Sequence, residues 1–590
     1  MQNHPNCNKA SARSSVWTPS TLLLVALTLL PAVVYMAVIW STTDNTPRGD
    51  ENILSIFTIV HNLDSISFRE KLDNFLWTYY QHRTLMIKAS VLVMYWLTDH
   101  INLHLIGFFG NFTLCIIVYM TSRNIIQRCL PMYGMVVASL MILSLYPWIV
   151  AVWPICALGY YITIMLAFAC FYFLDLTSPK VFLAAICGWL STFTMSNGLL
   201  SIVIGSLIVI YNQKNENRYS SRQLLLWTIS AIGCLAVHFS TMNIFSTEIY
   251  GAKTVQESFA NLSGRMVDFL ESMGAAPFLP RENREGKIFL GCIFIALMVT
   301  LAFSKKSLKS PAIVGLALFS TGTLFLTSIF RYSAGDNEGY QIFTAINMSA
   351  VFIIAAEHIR QAKNGFLPAL ILIAALLFNL NALITNTDKM LLHRDNLTNN
   401  LEKFLLTGNP DTNLWSDAIM RDGITRDIYR PLQSHQTLKI PSHVETLNQC
   451  PAHDALTAGD IASTSTDISF ALKISAKIPI QPMKQDMALV LCGEKNYRLT
   501  LSKNNIHSKN NSHIEIDLLI DKRKYENNSY RAYVQNGSGF IALPEPLYIP
   551  AVIPRDVYKS DCVAIKRYFA YTKSLKPIIA HYCQKVDWSK

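Results

Sequence analysis

The chain has 590 residues, of which 51% are hydrophobic and only 15% charged, and its mean hydropathy is +0.28. Soluble domains carry nearer a quarter charged residues, so this composition excludes an ordinary soluble protein and indicates a polytopic membrane protein. The formal net charge of +11 does not argue for nucleic acid, because the basic residues fall in short clusters between apolar spans, where the positive-inside rule puts them.

Residues 1–19 lead into the apolar run Leu22–Trp40, which is long enough to cross a bilayer and ends in an aromatic rather than a small-residue cleavage site. It reads as a retained first helix with a cytoplasmic N-terminus. The connection that follows, 41–102, is far longer than two spans need and holds Asp44, Asp50, Glu51, Asp64, Glu70, Asp73, His82, Arg83 and Lys88. It closes on Thr84–Leu97, read as an interfacial helix that lies along or dips into the outer boundary, with Lys88 and Trp96 as anchors.

Apolar runs of about 17 to 22 residues predict spans at 20–40, 103–121, 131–148, 156–175, 181–196, 198–212, 223–241, 287–303, 311–330, 340–359 and 366–385. The membrane domain therefore covers 20–385 with about eleven transmembrane helices. Lys9 and Arg13, Arg123 and Arg128, Lys180, Lys214 with Arg218 and Arg222, Lys305 with Lys306 and Lys309, and Arg360 with Lys363 occupy alternate connections. Those connections are the cytoplasmic ones. The opposite side then receives 41–102, Met242–Gly286, Arg331–Gly339 and everything after Thr385, provided that Thr84–Leu97 does not cross.

Beyond Thr385 the pattern changes. Residues 386–440 form a helical connector, with helical spacing over Asn396–Arg421. Residues 441–590 read as an extracytoplasmic β-rich domain. The alternating runs from Ile468, Met487, Tyr497, Ile514 and Tyr530 fit a small antiparallel sandwich. This domain holds Cys450, Cys492, Cys562 and Cys583, four thiols that allow three pairings, Cys562 with Cys583 being the nearest in sequence, or that stay free. Cys115, Cys156, Cys170, Cys187, Cys234 and Cys292 lie in spans, where cysteine acts as a small apolar side chain. No metal-like CxxC occurs, and no phosphate-cradling Gly loop, HExxH or GxSxG is present.

Three groups could carry chemistry. Asp50-Glu51 is a carboxylate pair just outside the first span, fit either to accept a proton from an attacking hydroxyl or simply to face water. His82-Arg83, with Lys88 one helical turn and a half further on, offers a planar fork and a point charge to a phosphate at headgroup level; snorkelling toward anionic lipid uses the same residues. Arg331-Tyr332 stands where the ninth span exits, near Asp336 and Glu338, and a lone Arg there also serves as an anchor. In the loop 242–286, Arg265, Glu271, Arg281 and Arg284 line a polar cavity or face water; the residues alone leave both open.

The order of these features resembles the C superfamily of integral-membrane glycosyltransferases, whose relatives include protein mannosyltransferases and lipid A aminoarabinose transferases. Locally, Gln81-His82-Arg83, Met195-Ser-Asn-Gly-Leu-Leu200, Met273-Gly-Ala-Ala-Pro277 and Arg331-Tyr332 are similar to segments of a bacterial branch that shows Glu-His-Arg, Ala-Asn-Gly-Leu, Gly-Ala-Pro-Leu and Ser-Arg-Tyr in this order. Gln81, Ser196 and Phe330 depart from that pattern, and Tyr146–Tyr160 lacks the second acid that mannosyltransferases often place there. The resemblance implies transfer of a sugar from a polyprenyl-phosphate donor to a glycan or lipid acceptor at the outer face of the bacterial inner membrane. It implies Asp50 as base with Glu51 in reserve, Arg83, Arg331 and Lys88 on the donor phosphate, and His82 and Tyr332 as positioning groups, with no metal ligand among them and no cofactor beyond the donor lipid. The competing reading is a non-catalytic flippase, transporter or assembly partner for envelope polysaccharide, to which the missing second acid and the β-rich tail both lend themselves.

Overall fold

A computed structural model describes residues 19–43, 45, 67–76, 83–98, 100–241, 262–275, 283–302, 310–330, 338–361 and 366–407, together with ten strands between 444 and 549. The chain divides into two compact units, residues 1–44 with 53–394, and residues 45–52 with 395–590.

The first unit is helical: α1 (Pro19–Thr42), α2 (Phe68–Leu76), α3 (Leu85–Thr98), α4 (Leu103–Gln127), α5 (Tyr133–Ile142), α6 (Pro154–Asp175), α7 (Val181–Thr194), α8 (Leu199–Glu216), α9 (Ser221–Thr241), α10 (Leu262–Gly274), α11 (Arg284–Ala302), α12 (Pro311–Phe330), α13 (Gln341–Gln361) and α14 (Phe366–Thr407). Among the described residues, seven helices are long and apolar enough to cross a membrane, namely α1, α4, α6, α8, α9, α12 and α14; α3, α5, α7 and the Gln341–Glu357 stretch of α13 are apolar but shorter. Each predicted span overlaps one of these helices or α11, but seven rather than about eleven are long and apolar enough to cross, and α5 covers only ten residues of 131–148. The last one runs on without a break, since α14 extends through the start of the expected connector to Thr407.

A small residue brings α4 and α6 together, because apolar lipid gives two apolar helices little reason to associate except close packing. A methyl group on Gly110 of α4 would lie 2.6 Å from the Leu158 nitrogen of α6. One end of the bundle is tied by polar contacts around Asp175 at the close of α6. Arg128 pairs with it, Arg218 approaches at 3.4 Å, the Asn124 amide donates to it at 3.2 Å and the Ala312 N–H at 3.4 Å. The opposite end gathers Thr43 beside His104 (3.0 Å), the Thr84 N–H on the Thr194 carbonyl (3.1 Å), the Asn386 amide on the Leu145 carbonyl (3.0 Å) and the Tyr160 and Tyr340 rings (5.8 Å).

Helix α3 belongs to this second end at both of its termini. It starts just after Thr84, which lies beside Thr194, and five residues after it ends α4 begins where His104 meets Thr43. Fourteen residues reach about 21 Å at the usual rise, short of the roughly 30 Å of a hydrocarbon core. Its surroundings differ from the anchor role expected of it. Trp96 is 68% exposed, but Lys88 is 0% exposed, because α3 packs against α6 and α7. Ile87 fills the space left by Gly159, where a methyl group would sit 2.8 Å from the Ile87 Cδ1.

In the second unit, β1 (Val444–Leu447), β5 (Asn496–Thr500), β4 (Met487–Cys492), β8 (Asn528–Asn536) and β10 (Leu547–Ile549) pair in that order, with β9 (Gly539–Ala542) also on β8. A second sheet has the order β2 (Ser463–Ile468), β3 (Ala471–Pro479), β7 (His513–Asp521) and β6 (Ile506–Asn510). The pairings are antiparallel, with Ile474 opposite Leu518 and Leu489 opposite Val534. The run from Ile468, expected as a single strand, contains a reversal: Ile468 ends β2 and pairs with Ala471, which opens β3.

Candidate functional site

Among the residues expected to handle a phosphate, Arg83 and Lys88 both lie close to Thr84 in the chain, at the start of α3. Thr84 adopts φ 54°, a left-handed conformation that a β-branched side chain rarely takes. Two backbone bonds hold it there: its N–H on the Thr194 carbonyl at 3.1 Å, and its own carbonyl accepting from the Lys88 N–H at 3.0 Å. The turn sends Arg83 over the Phe193 ring, 5.3 Å from the ring centre, where a guanidinium gains from the face of an aromatic. It also opens α3, whose first full turn ends at Lys88.

Both cations are enclosed: Arg83 is 5% and Lys88 0% exposed. Burial penalises the charged amine, and the Lys88 pKa is pushed down from 10.5 to about 7. His238 of α9, also buried, is close enough to Arg83 to feel its charge. Residue types alone gave no reason to include His238 or Thr84.

The Met195–Leu200 segment continues directly from this point. Met195 is extended, Ser196–Gly198 form one 3₁₀ turn, and α8 follows. Gly198 is required there, since a methyl group would lie 2.1 Å from the Ser191 carbonyl oxygen. The turn aims the Asn197 amide at the Thr323 hydroxyl of α12, 3.2 Å away. Two of the motif segments, Arg83 and Met195–Leu200, therefore meet through the Thr84–Thr194 bond.

A second charged group lies on α10 and α11. Arg265 and Glu271, which the sequence left as either cavity-lining or water-facing, are buried at 4% and 5%, as is Lys287 at 5%. Arg265 reaches Asp268 at 3.5 Å, Arg284 bridges Asp268 at 3.2 Å and Glu271 at 3.1 Å, and Lys287 lies 3.6 Å from Glu271. Asp268 and Lys287 were missed, although the spacing of Arg265, Asp268 and Glu271 already puts them on one helical stripe. The two helices touch backbone to backbone: a methyl group on Gly274 would be 1.8 Å from the Lys287 oxygen, and one on Gly291 2.0 Å from the Leu270 oxygen. This explains Gly274 in the Met273–Pro277 segment.

Asp50, Glu51, His82, Arg281, Arg331 and Tyr332 lie outside the described residues. Among the described residues, no group of three or more His, Cys, Asp or Glu side chains is placed to hold a metal ion. Arg83 and Lys88, a planar fork and an amine near the start of α3 and both shielded from water, are the donor types that suit phosphate. Comparison with family models, curated proteins and solved structures finds no match to the chain.

Proposed function

We propose that the protein is a membrane glycosyltransferase that moves a sugar from a polyprenyl-phosphate donor to a glycan or lipid acceptor outside the cytoplasmic membrane. The observation that carries this reading is the pair of enclosed cations, Arg83 and Lys88, on either side of the strained Thr84. Buried cations in a membrane protein are costly; they pair with other protein groups and mark substrate pathways. Strain of this kind concentrates at functional sites.

In this reading the basic end around Asp175 faces the cytoplasm, α3 lies at the outer boundary, and the two sheets of the second unit pack as a sandwich outside the membrane. Asp50 takes the proton from the acceptor hydroxyl, with Glu51 in reserve. Arg83, Lys88 and Arg331 stabilise the charge that gathers on the departing lipid phosphate, the larger part of such catalysis. His82 and Tyr332 position the donor.

The test is transfer of labelled sugar from polyprenyl-phosphate donor in membranes. Loss of the general base is expected to lower the rate at least about a hundredfold in Asp50→Asn, and Arg331→Ala and Arg83→Ala should fall comparably. Equal product from wild type and all three variants would overturn the assignment.

A further inference from the structure

The Thr84 hydroxyl has no hydrogen-bond partner among the described residues, although Thr84 is only 2% exposed. A threonine just before a helix normally turns its oxygen onto an N–H of the first turn. Here the backbone is left-handed and the hydroxyl makes no such bond, while the Thr84 carbonyl accepts the ordinary first bond of the helix from the Lys88 N–H. Buried polar atoms without partners are uncommon in folded proteins and call for an explanation. This one belongs to the residue that follows the buried Arg83 and precedes the turn ending at the buried Lys88, and it pairs two costs, strain and an unmet hydroxyl, at a single residue. Three residues past the Thr194 carbonyl that holds it, the Asn197 side-chain oxygen is likewise without a partner among the described residues.

We propose that Thr84 is a direct phosphate contact: its hydroxyl donates to a phosphate oxygen held between Arg83 and Lys88, and its left-handed backbone is the device that aims it. This rests on the glycosyltransferase reading for the identity of the phosphate, which would be the headgroup of the lipid-linked donor. A free phosphate ion carries the same oxygen chemistry, so the test separates the two.

Purified full-length protein in detergent is titrated with a polyprenyl monophosphate, the matching polyprenol and inorganic phosphate, following the rise in melting temperature. Wild type should respond to the polyprenyl phosphate and not to the polyprenol. Thr84→Val, which keeps the shape and removes the hydroxyl, should weaken binding about tenfold or more, the usual size for a hydrogen bond to a charged group. Thr84→Ser should stay within about twofold of wild type, since the hydroxyl remains. Thr84→Gly accepts the left-handed backbone without strain, so its unliganded melting temperature should equal or exceed that of wild type while its binding falls as in Thr84→Val.

Unchanged binding in both Thr84→Val and Thr84→Gly, with a loss in Arg83→Ala, would overturn the role of Thr84 and leave the functional reading intact. Equal responses to polyprenyl phosphate and polyprenol would overturn the functional reading and this inference with it. Tight binding of inorganic phosphate that depends on Thr84, with no preference for the lipid, would support the contact and reject the lipid-linked donor.

Discussion

Lys88 shows how position inside a fold changes what a residue can do. In sequence it reads as an interfacial anchor, because it follows His82-Arg83 in an apolar run; in the structure it is fully enclosed between α3, α6 and α7. An unfolded chain keeps the Lys88 proton up to a pKa of 10.5, whereas the folded amine releases it near 7. The unfolded form therefore binds more protons between those values, and unliganded stability should rise with pH across that window. Anion binding should run the other way, falling several-fold as pH climbs from about 6 to about 8 and Lys88 loses its charge. Both slopes should vanish in Lys88→Met, measured as melting temperature with and without polyprenyl phosphate across that range.

At the scale of elements, hydropathy located the helices well because a span must be a continuous apolar run of sufficient length. What it missed was charge buried by tertiary contact. Nothing in the local pattern of Arg265–Glu271 distinguishes a wet loop helix from one clamped to α11; the decision is made by Gly274 and Gly291, which let two backbones touch. Gly274→Ala should cost about 1–3 kcal/mol or more, since the added carbon meets backbone that cannot move aside. Within the same pair of helices, Glu271→Gln should lower stability by about 3 kcal/mol, because it removes the carboxylate 3.6 Å from the buried Lys287. Arg284→Gln should cost less than about 1 kcal/mol, its side chain being 57% exposed. Thermal unfolding of the purified protein separates these cases.

For the whole molecule, the alternation of basic clusters and the packing agree on which connections share an end. Arg128, Asp175 and Arg218, which come from three separate connections, meet in one polar knot. Asp175 was not singled out, because a single acid at the close of an apolar run looks like a boundary residue. Asp175→Ala would remove the carboxylate paired with Arg128, Arg218 keeping Glu216, and should cost about 3 kcal/mol. Sidedness carries a tension of its own. Cys129, at this same end, is disulfide-bonded, and disulfides persist on the oxidising side of a membrane, opposite to the side the basic clusters choose. We expect the charge rule to prevail: reporter fusions after Lys214 should be active in the cytoplasm and fusions at Arg69 outside it. The reverse pattern would place the Arg83–Lys88 site on the cytoplasmic side.

Sequence reading reached Arg83 and Lys88 through their charge and their place after the first span. It did not reach Thr84, whose meaning lies in a backbone angle and an unmet hydroxyl. The most direct test of the account is an experimental map of the full-length protein with a bound polyprenyl monophosphate. The phosphate is expected within hydrogen-bond distance of Arg83, Thr84 and Lys88; a phosphate seated on the α10–α11 charges instead, or a lipid bound with its headgroup away from all three residues, would contradict the proposed site.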